Sequence, residues 1–301
     1  MKPITIYSGA TGLNTVDDPV RISFQAGGIT DLQVAINISI DQSLRINRRP
    51  GTSRLQTGAY HSLFCDGGDC FVVKDGTLYQ VESNDTLTSI VSGLTADQKM
   101  AFAQVGDRTY YMNGYEKGFV YESASNTWTL GTYTGPDTNR DFSEPPIGTH
   151  LATFHGRMFV AEGKVLWWSE PFNFDIYNKA ESFIQFFDDI IMIQPVNGGI
   201  FVSTDNKTYF LGGADPRDFT LIEVAQYPAA EWSNTVEKVD AAELGFQGGG
   251  LCAVWASREG AILGFPTGQI VNLNKNKVVY PDNATTGFGC LRGYNFIHGV
   301  D

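Results

Sequence analysis

Hydrophobic and polar residues first fall into a clear rhythm at Leu32. Leu32, Val34, Ile36, Ile38 and Ile40 alternate with Gln33, Ala35, Asn37 and Ser39; after Asp41-Gln42-Ser43, Leu44 and Ile46 alternate with Arg45 and Asn47. A period of two with a polar break predicts a β-hairpin with one buried face, its arginines on the wet side. The stretch before it, Ile4 to Asp18, has no periodicity and reads as an extended arm.

Beyond residue 60 a second pattern repeats: FVVKDGTLYQVE from Phe71, TYYMNGYEKGFVYE from Thr109, MFVAEGKVLWWSE from Met158, IFVSTDNKTYFLG from Ile200 and CAVWASREGAILGF from Cys252. Each copy is a short β-branched or aromatic run, a polar turn and a second run rich in Tyr, Trp, Phe or Leu. A further polar break and another strand often follow, as at Thr220 to Val224. A spacing of roughly forty to fifty residues is that of four-stranded propeller blades. The expectation is an all-β, six-bladed β-propeller, five blades being visible and a sixth assembled from Gly287 to Val300 and the N-terminal hairpin, because a propeller must leave no open edge. Two packed β-sandwiches are the rival, disfavoured because the repeat runs through the middle of the chain without a linker. The organisation predicted is an N-terminal arm and first strand over 1–31 and one propeller over 32–301, with insertions at 131–148 and 227–250. The first insertion, polar and proline-rich, reads as an exposed loop. The second carries a helix signal, Asn234 as N-cap with Glu237 three residues on.

Composition agrees with an all-β chain: 33 Gly, 20 Phe and 13 Tyr favour strands joined by glycine turns. The net charge of −12 opposes nucleic-acid binding by counterion release, the one basic cluster being Arg45, Arg48, Arg49 and Arg54. No apolar run reaches the length of a membrane span, and Met1 to Leu13 lacks the apolar core of a signal peptide, so a cytoplasmic origin is expected. Cys65 and Cys70 flank Asp66-Gly67-Gly68-Asp69 and could face each other across a hairpin tip; in that compartment a reduced pair is expected.

Catalytic motifs are missing. There is no phosphate loop, dinucleotide fingerprint, HExxH or GxSxG. His150 and His155, five apart, would lie on opposite faces of any one strand. Asp137, Asn139 and Asp141 imitate the start of a calcium loop, but Phe142 and Gly148 stand where glycine and glutamate are needed. A propeller glycosidase would need two converging carboxylates, for which Glu170 and Asp205 are the nameable candidates. Ser125-Asn126-Thr127-Trp128 matches only the end of a sialidase turn motif. The aromatic run Trp167, Trp168, Phe172, Phe174, Tyr177, Phe183, Phe186 and Phe187 reads as packing between blades rather than a sugar platform. No enzyme activity, cofactor or metal is expected.

Several patterns together resemble the tail nozzle, or packaged-DNA-stabilisation, proteins of short-tailed bacteriophages. They are Gly12-Leu13-Asn14-Thr15 with Asp18-Pro19, Arg48-Arg49-Pro50-Gly51 after the first hairpin, Glu170-Pro171 through Ile184-Gln185-Phe186, Gly199 to Thr204, and Tyr209 to Gly213. The resemblance covers most of the chain, made of strand and turn residues, and the chain is short for that family. It implies a virion protein assembled in the host cytoplasm: a homo-oligomeric ring, usually a hexamer, below the portal and head-to-tail adaptor. Such a ring retains the genome, passes DNA during ejection without sequence-specific binding and supports tail fibres or spikes. Asn14, Asp18, Arg48 and Arg49 are then candidate interface residues. A carbohydrate-binding or glycan-degrading propeller, acting in receptor binding, is the alternative.

Overall fold

The computed structural model describes residues 9–18, 22, 29–41, 43–51, 53–66, 68–136, 140–239, 250–275, 277–292 and 295–301. Strands β1 (Gly9–Leu13) and β2 (Ile29–Leu32) form a parallel pair, and β3 (Ile38–Ile40) and β4 (Ile46–Arg48) a short hairpin. Five meandering sheets follow, the blades of a β-propeller. Blade 1 is β5 (Tyr60–Asp66), β6 (Asp69–Lys74), β7 (Thr77–Val81) and β8 (Leu87–Ser92); blade 2 is β9 (Ala101–Val105), β10 (Arg108–Met112), β11 (Lys117–Tyr121) and β12 (Ala124–Thr127). Blade 3 has β13 (His150–Phe154), β14 (Arg157–Glu162) and β15 (Val165–Glu170), with β16 (Asn173–Tyr177) and β17 (Phe183–Gln185) sharing the outer edge of β15. Blade 4 is β18 (Ile190–Val196), β19 (Gly199–Thr204), β20 (Thr208–Gly212) and β21 (Thr220–Ala225). Blade 5 is β22 (Thr235–Val239), β23 (Gly250–Ser257), β24 (Gly260–Gly264) and β25 (Ile270–Asn272), and the chain ends in the hairpin β26 (Gly287–Arg292) and β27 (Asn295–Val300). Among the described residues the one helical turn is Pro216–Asp218, of 3-10 type.

The repeated sequence units are the second and third strands of the five blades. Their second strands are nearly continuous apolar runs because both faces of each are covered. Successive residues point to opposite faces, so Tyr111 joins the seam between blades 1 and 2 while Tyr110 and Met112 join that between 2 and 3. On β14, Met158 and Val160 face blade 2 and Phe159 faces blade 4; on β19, Ile200 and Val202 face blade 3 and Phe201 faces blade 5. Trp255 closes the seam between blades 4 and 5, while Cys252 and Val254 on the same strand pack with Phe296 of the terminal hairpin. The rings approach so closely that a Cβ on Gly264 would stand 2.7 Å from both Phe201 and Trp255.

Several expectations need correction. Five blades form, and no sixth is assembled among the described residues: β26–β27 and β3–β4 are separate two-stranded sheets. Strands β3 and β4 have three residues each and bond instead toward β1, Leu44 accepting from the Ala10 amide. The buried face of the first hairpin is absent, with Val34 70% and Ile36 79% exposed, because no sheet lies opposite it. The start of the chain is a paired strand rather than a free arm from Gly9 to Leu13; residues 1–8 lie outside those described. Within 227–250 the helix signal at Asn234 and Glu237 yields β22, the inner strand of blade 5, since Thr235, Val236 and Val239 pair with β23; 240–249 lie outside the described residues. Loop 131–148 holds no strand among its described residues but is docked, with Pro145 and Pro146 buried and Ser143 bridged to Tyr177. Cys65 and Cys70 are joined in a disulfide, because the β5–β6 register sets them directly opposite each other.

Replacing Phe159 or Trp255 by Ala should cost about 3–5 kcal/mol, each being a fully buried ring wedged between blades. Phe187→Ala, at a side chain 90% exposed, should change stability by no more than about 0.5 kcal/mol. Urea unfolding midpoints of the three variants check the contrast.

Candidate functional site

The four candidate interface residues lie in the N-terminal module, and the structure separates them. Asn14 is buried and organises its own turn: Oδ1 accepts from the amides of Val16 (3.2 Å) and Asp17 (3.1 Å), and Nδ2 donates to Asp17 (2.9 Å) and Asp31 (3.1 Å). Asp31 is the hub beneath it, accepting also from the Thr11 hydroxyl and pairing with Lys277 Nζ at 3.0 Å. Burial pushes its carboxyl up, but the bonds from Thr11, Lys277 and Asn14 outweigh that and hold it below the usual range. The Thr15 amide donates to the Lys277 carbonyl (2.7 Å) and the Thr15 hydroxyl accepts from the Val279 amide (3.0 Å), so this turn is fastened to the loop after blade 5.

Asp18, Arg48 and Arg49 are exposed. Arg48 ends β4, paired with Ile38 in the ladder, and Arg49 begins an extended stretch, its amide donating to the Asn37 carbonyl at 3.0 Å. Every described residue from Arg45 to Tyr60 is exposed, Leu55 at 71%. The stretch is anchored at its far end to blade 1, where the Gln56 side chain donates to the Asp85 carbonyl (3.0 Å) and the Ala59 amide to Asp75 (3.3 Å). The N-terminal module thus runs from the blade 5 loop across to blade 1.

A second cluster was not singled out by sequence. His150, the first residue of β13, stacks on Trp232 with ring centroids 4.5 Å apart. Trp232 belongs to the approach to β22, so this contact joins blade 3 to the approach to blade 5. Glu231 Oε1 lies 3.6 Å from His150 Nε2, and Asn234 Nδ2 donates to Gln194 on the inner strand of blade 4 at 2.8 Å. Complete burial drives the His150 pKa down to about 3, so the ring is neutral. Burial raises Glu231; Lys99 opposes that and Asp205 adds to it. Asp205 is itself raised, first by burial and then by Asp189 and Asp188. His150 is 81 and 82 positions from Glu231 and Trp232, so no local pattern could have announced their meeting.

The remaining sequence candidates have structural partners. Glu170 is buried against Arg140 at 2.7 Å, which clamps loop 131–148 to blade 3. Asp205 stands on the β19–β20 turn, its amide bonded to the Asp189 carbonyl. Trp128 is buried between blades 2 and 3 and donates to the Phe174 carbonyl (3.3 Å). Of the aromatic run, Trp168, Tyr177 and Phe186 are core, whereas Phe172 and Phe187 are exposed singly. Asp141 is exposed; Asp137 and Asn139 lie outside the described residues. Among the described residues no three His, Cys, Asp or Glu side chains are arranged to hold a metal. No described helix is long and apolar enough to cross a membrane. Two open depressions, of about 520 and 390 Å³, share Arg258 and Asp282 in their walls.

The strand order and the seams define the chain as a β-propeller. No family model and no curated protein matches it. Among solved structures it is similar to virginiamycin B lyase of Staphylococcus aureus, at 10% identity over 93% of this chain and 90% of that one, with a TM-score of 0.48. It is similar also to the WD40 β-propeller domain of Doa1 (10% identity, 77% and 71% covered, TM-score 0.46). A third is the extracellular domain described as a one-component system of B. thetaiotaomicron (11%, TM-score 0.49); 82% of this chain is covered, but it spans only 31% of that longer chain.

His150 makes the fold sensitive to acid. Its folded pKa lies below the 6.5 of an ordinary histidine, so its contribution is complete above pH 6.5 and is lost as pH falls from there toward about 3, where the folded ring finally takes a proton. Glu231, raised above 4.5, acts with the opposite sign as pH falls. His150→Phe keeps a ring on Trp232 without the titration. Urea midpoints should therefore fall more steeply below pH 6.5 in the wild type than in this variant; parallel pH profiles would contradict it.

Proposed function

We propose that this chain is a structural subunit of a short-tailed phage virion: the tail nozzle or tail tube ring below the portal–adaptor complex. That ring retains the packaged genome and forms the path for its ejection. The observation that carries the reading is the contrast between a propeller whose buried polar residues tie its own parts together, as His150 on Trp232 does, and an exposed basic segment, Arg45 to Arg54, on a chain of net charge −12. A scaffold built this way places its function at its outer surfaces and in assembly. The sequence resemblance supports the same role, its motifs being spread over the N-terminal module, blade 3 and blade 4. Gly199 to Thr204 and Tyr209 to Gly213 lie in and beside the buried strands of blade 4, and Arg48-Arg49-Pro50-Gly51 opens the projecting segment.

In this reading the DNA path lies between copies arranged in a ring. A predominantly acidic wall repels phosphate, which lets DNA slide without sticking or sequence preference. The head-to-tail adaptor would sit above the ring, and fibres or spikes would attach to the docked and exposed loops such as 131–148.

Mass photometry of the purified chain should show closed assemblies at multiples of 33.0 kDa, and negative-stain images should show rings that cap a portal–adaptor complex. A strict monomer that binds glycans on an array would instead support the receptor-binding alternative.

A further inference from the structure

We infer that the projecting segment Arg45–Leu55, with the apolar edge of Val34 and Ile36 in front of it, is the arm by which one copy of this chain holds the next. The inference rests on the ring reading only in requiring that copies associate; it adds which surface does so and by what force.

The segment unites two properties that a solvated loop has no use for. It carries Arg45, Arg48, Arg49 and Arg54 with no carboxylate between Arg45 and Tyr60, which leaves 17 basic against 33 acidic residues, a charge of −16, on the rest of the chain. It also presents Val34, Ile36, Ile46 and Leu55 to solvent, four branched aliphatic side chains close together in sequence with no sheet to cover them. The backbone is held at both ends, by the β3–β4 ladder and by the bonds of Gln56 and Ala59 to blade 1, so the middle is displayed rather than loose. Display on two anchors lowers the ordering cost of binding.

The occupant these features select is a second copy. Its surface supplies the opposite charge in excess, and arginine is the cation that interfaces favour, because its planar fork pairs with carboxylates while its stem packs on apolar groups. Nucleic acid fits less well: aliphatic side chains gain nothing from a phosphate backbone, and the surrounding charge of −16 repels it. Within this chain's own fold Arg45 lies close enough to Asp41 to help lower its pKa, while Arg48, Arg49 and Arg54 stand exposed to solvent.

The test is sedimentation velocity and mass photometry of the full chain at several concentrations, in about 50 and about 500 mM NaCl, where exposed pairs are weakly and strongly screened. Three variants accompany the wild type: Arg48→Glu with Arg49→Glu and Arg54→Glu; the same three changed to Lys; and Val34→Ser with Ile36→Ser. Circular dichroism melts confirm that each is folded. Wild-type assemblies should weaken with salt. The Glu variant should lose at least about tenfold in association, the Lys variant should retain most of it, and the Ser variant should weaken without changing the salt dependence. If folded Glu and Ser variants assemble as the wild type does, this inference fails and the ring reading stands. A wild type that is monomeric throughout sinks both. A monomer whose arginines shift a DNA duplex in a gel would assign the segment to nucleic acid and overturn the proposal.

Discussion

The fold depends on the apolar seams between neighbouring blades. A single four-stranded sheet with two apolar faces cannot remain alone in water; blades 2, 3 and 4 each bury one face against the blade before and the other against the blade after, and blade 5 lies between blade 4 and the terminal hairpin. The second strands of blades 3, 4 and 5 are thus covered on both faces, which is why Phe159, Phe201 and Trp255 are fully buried although their immediate neighbours in sequence are buried too. Aromatic rings suit these seams because blades splay outward and leave wedge-shaped gaps that large flat side chains fill. Gly264 is the complement of that choice, leaving room for the rings of Phe201 and Trp255 where a methyl group would collide.

The rest of the architecture completes what the seams leave open. The terminal hairpin β26–β27 covers the far face of blade 5 through Phe296. The N-terminal module is tied to the blade 5 loop by Thr15, Asp31 and Lys277 and to blade 1 by Gln56 and Ala59. The stack of His150 on Trp232 ties blade 3 to the approach to blade 5, and the bond from Asn234 to Gln194 ties that approach to the neighbouring blade 4.

Charge separates the molecule into two parts with different roles. Most ionisable groups are acidic and lie on the blades, while the basic excess is concentrated in one exposed stretch of the N-terminal module. Where acids come inside, they are secured by specific partners: Glu170 by Arg140, and Asp31 by Lys277, Thr11 and Asn14. The interior polar groups thus serve cohesion. The basic side chains Arg45, Arg48, Arg49 and Arg54 and the apolar Val34, Ile36 and Leu55 lie exposed on the N-terminal module.

The amino-acid sequence alone determined the repeated unit. FVV, TYYM, MFVA, IFVS and CAVWA are runs that only a strand buried on both faces requires, and the polar turn after each sets the hairpin, so blades were legible from period and turn chemistry that act over a dozen residues. Tertiary structure decided how the ring ends. The alternation from Leu32 to Ile40 promised a buried face, yet burial needs an opposing sheet, and whether one exists is a long-range fact; Val34 and Ile36 therefore project into solvent. The capping signal at Asn234 lost to the ladder of β22 on β23, because pairing with an existing blade outweighs a local helix start. The Cys65–Cys70 bond followed from register, and the meeting of His150 with Trp232 and Glu231 from the closing of blades far apart in the chain. Local patterns specify each blade, whereas the partner of every blade face, and the faces left without one, are set only when the whole chain has folded.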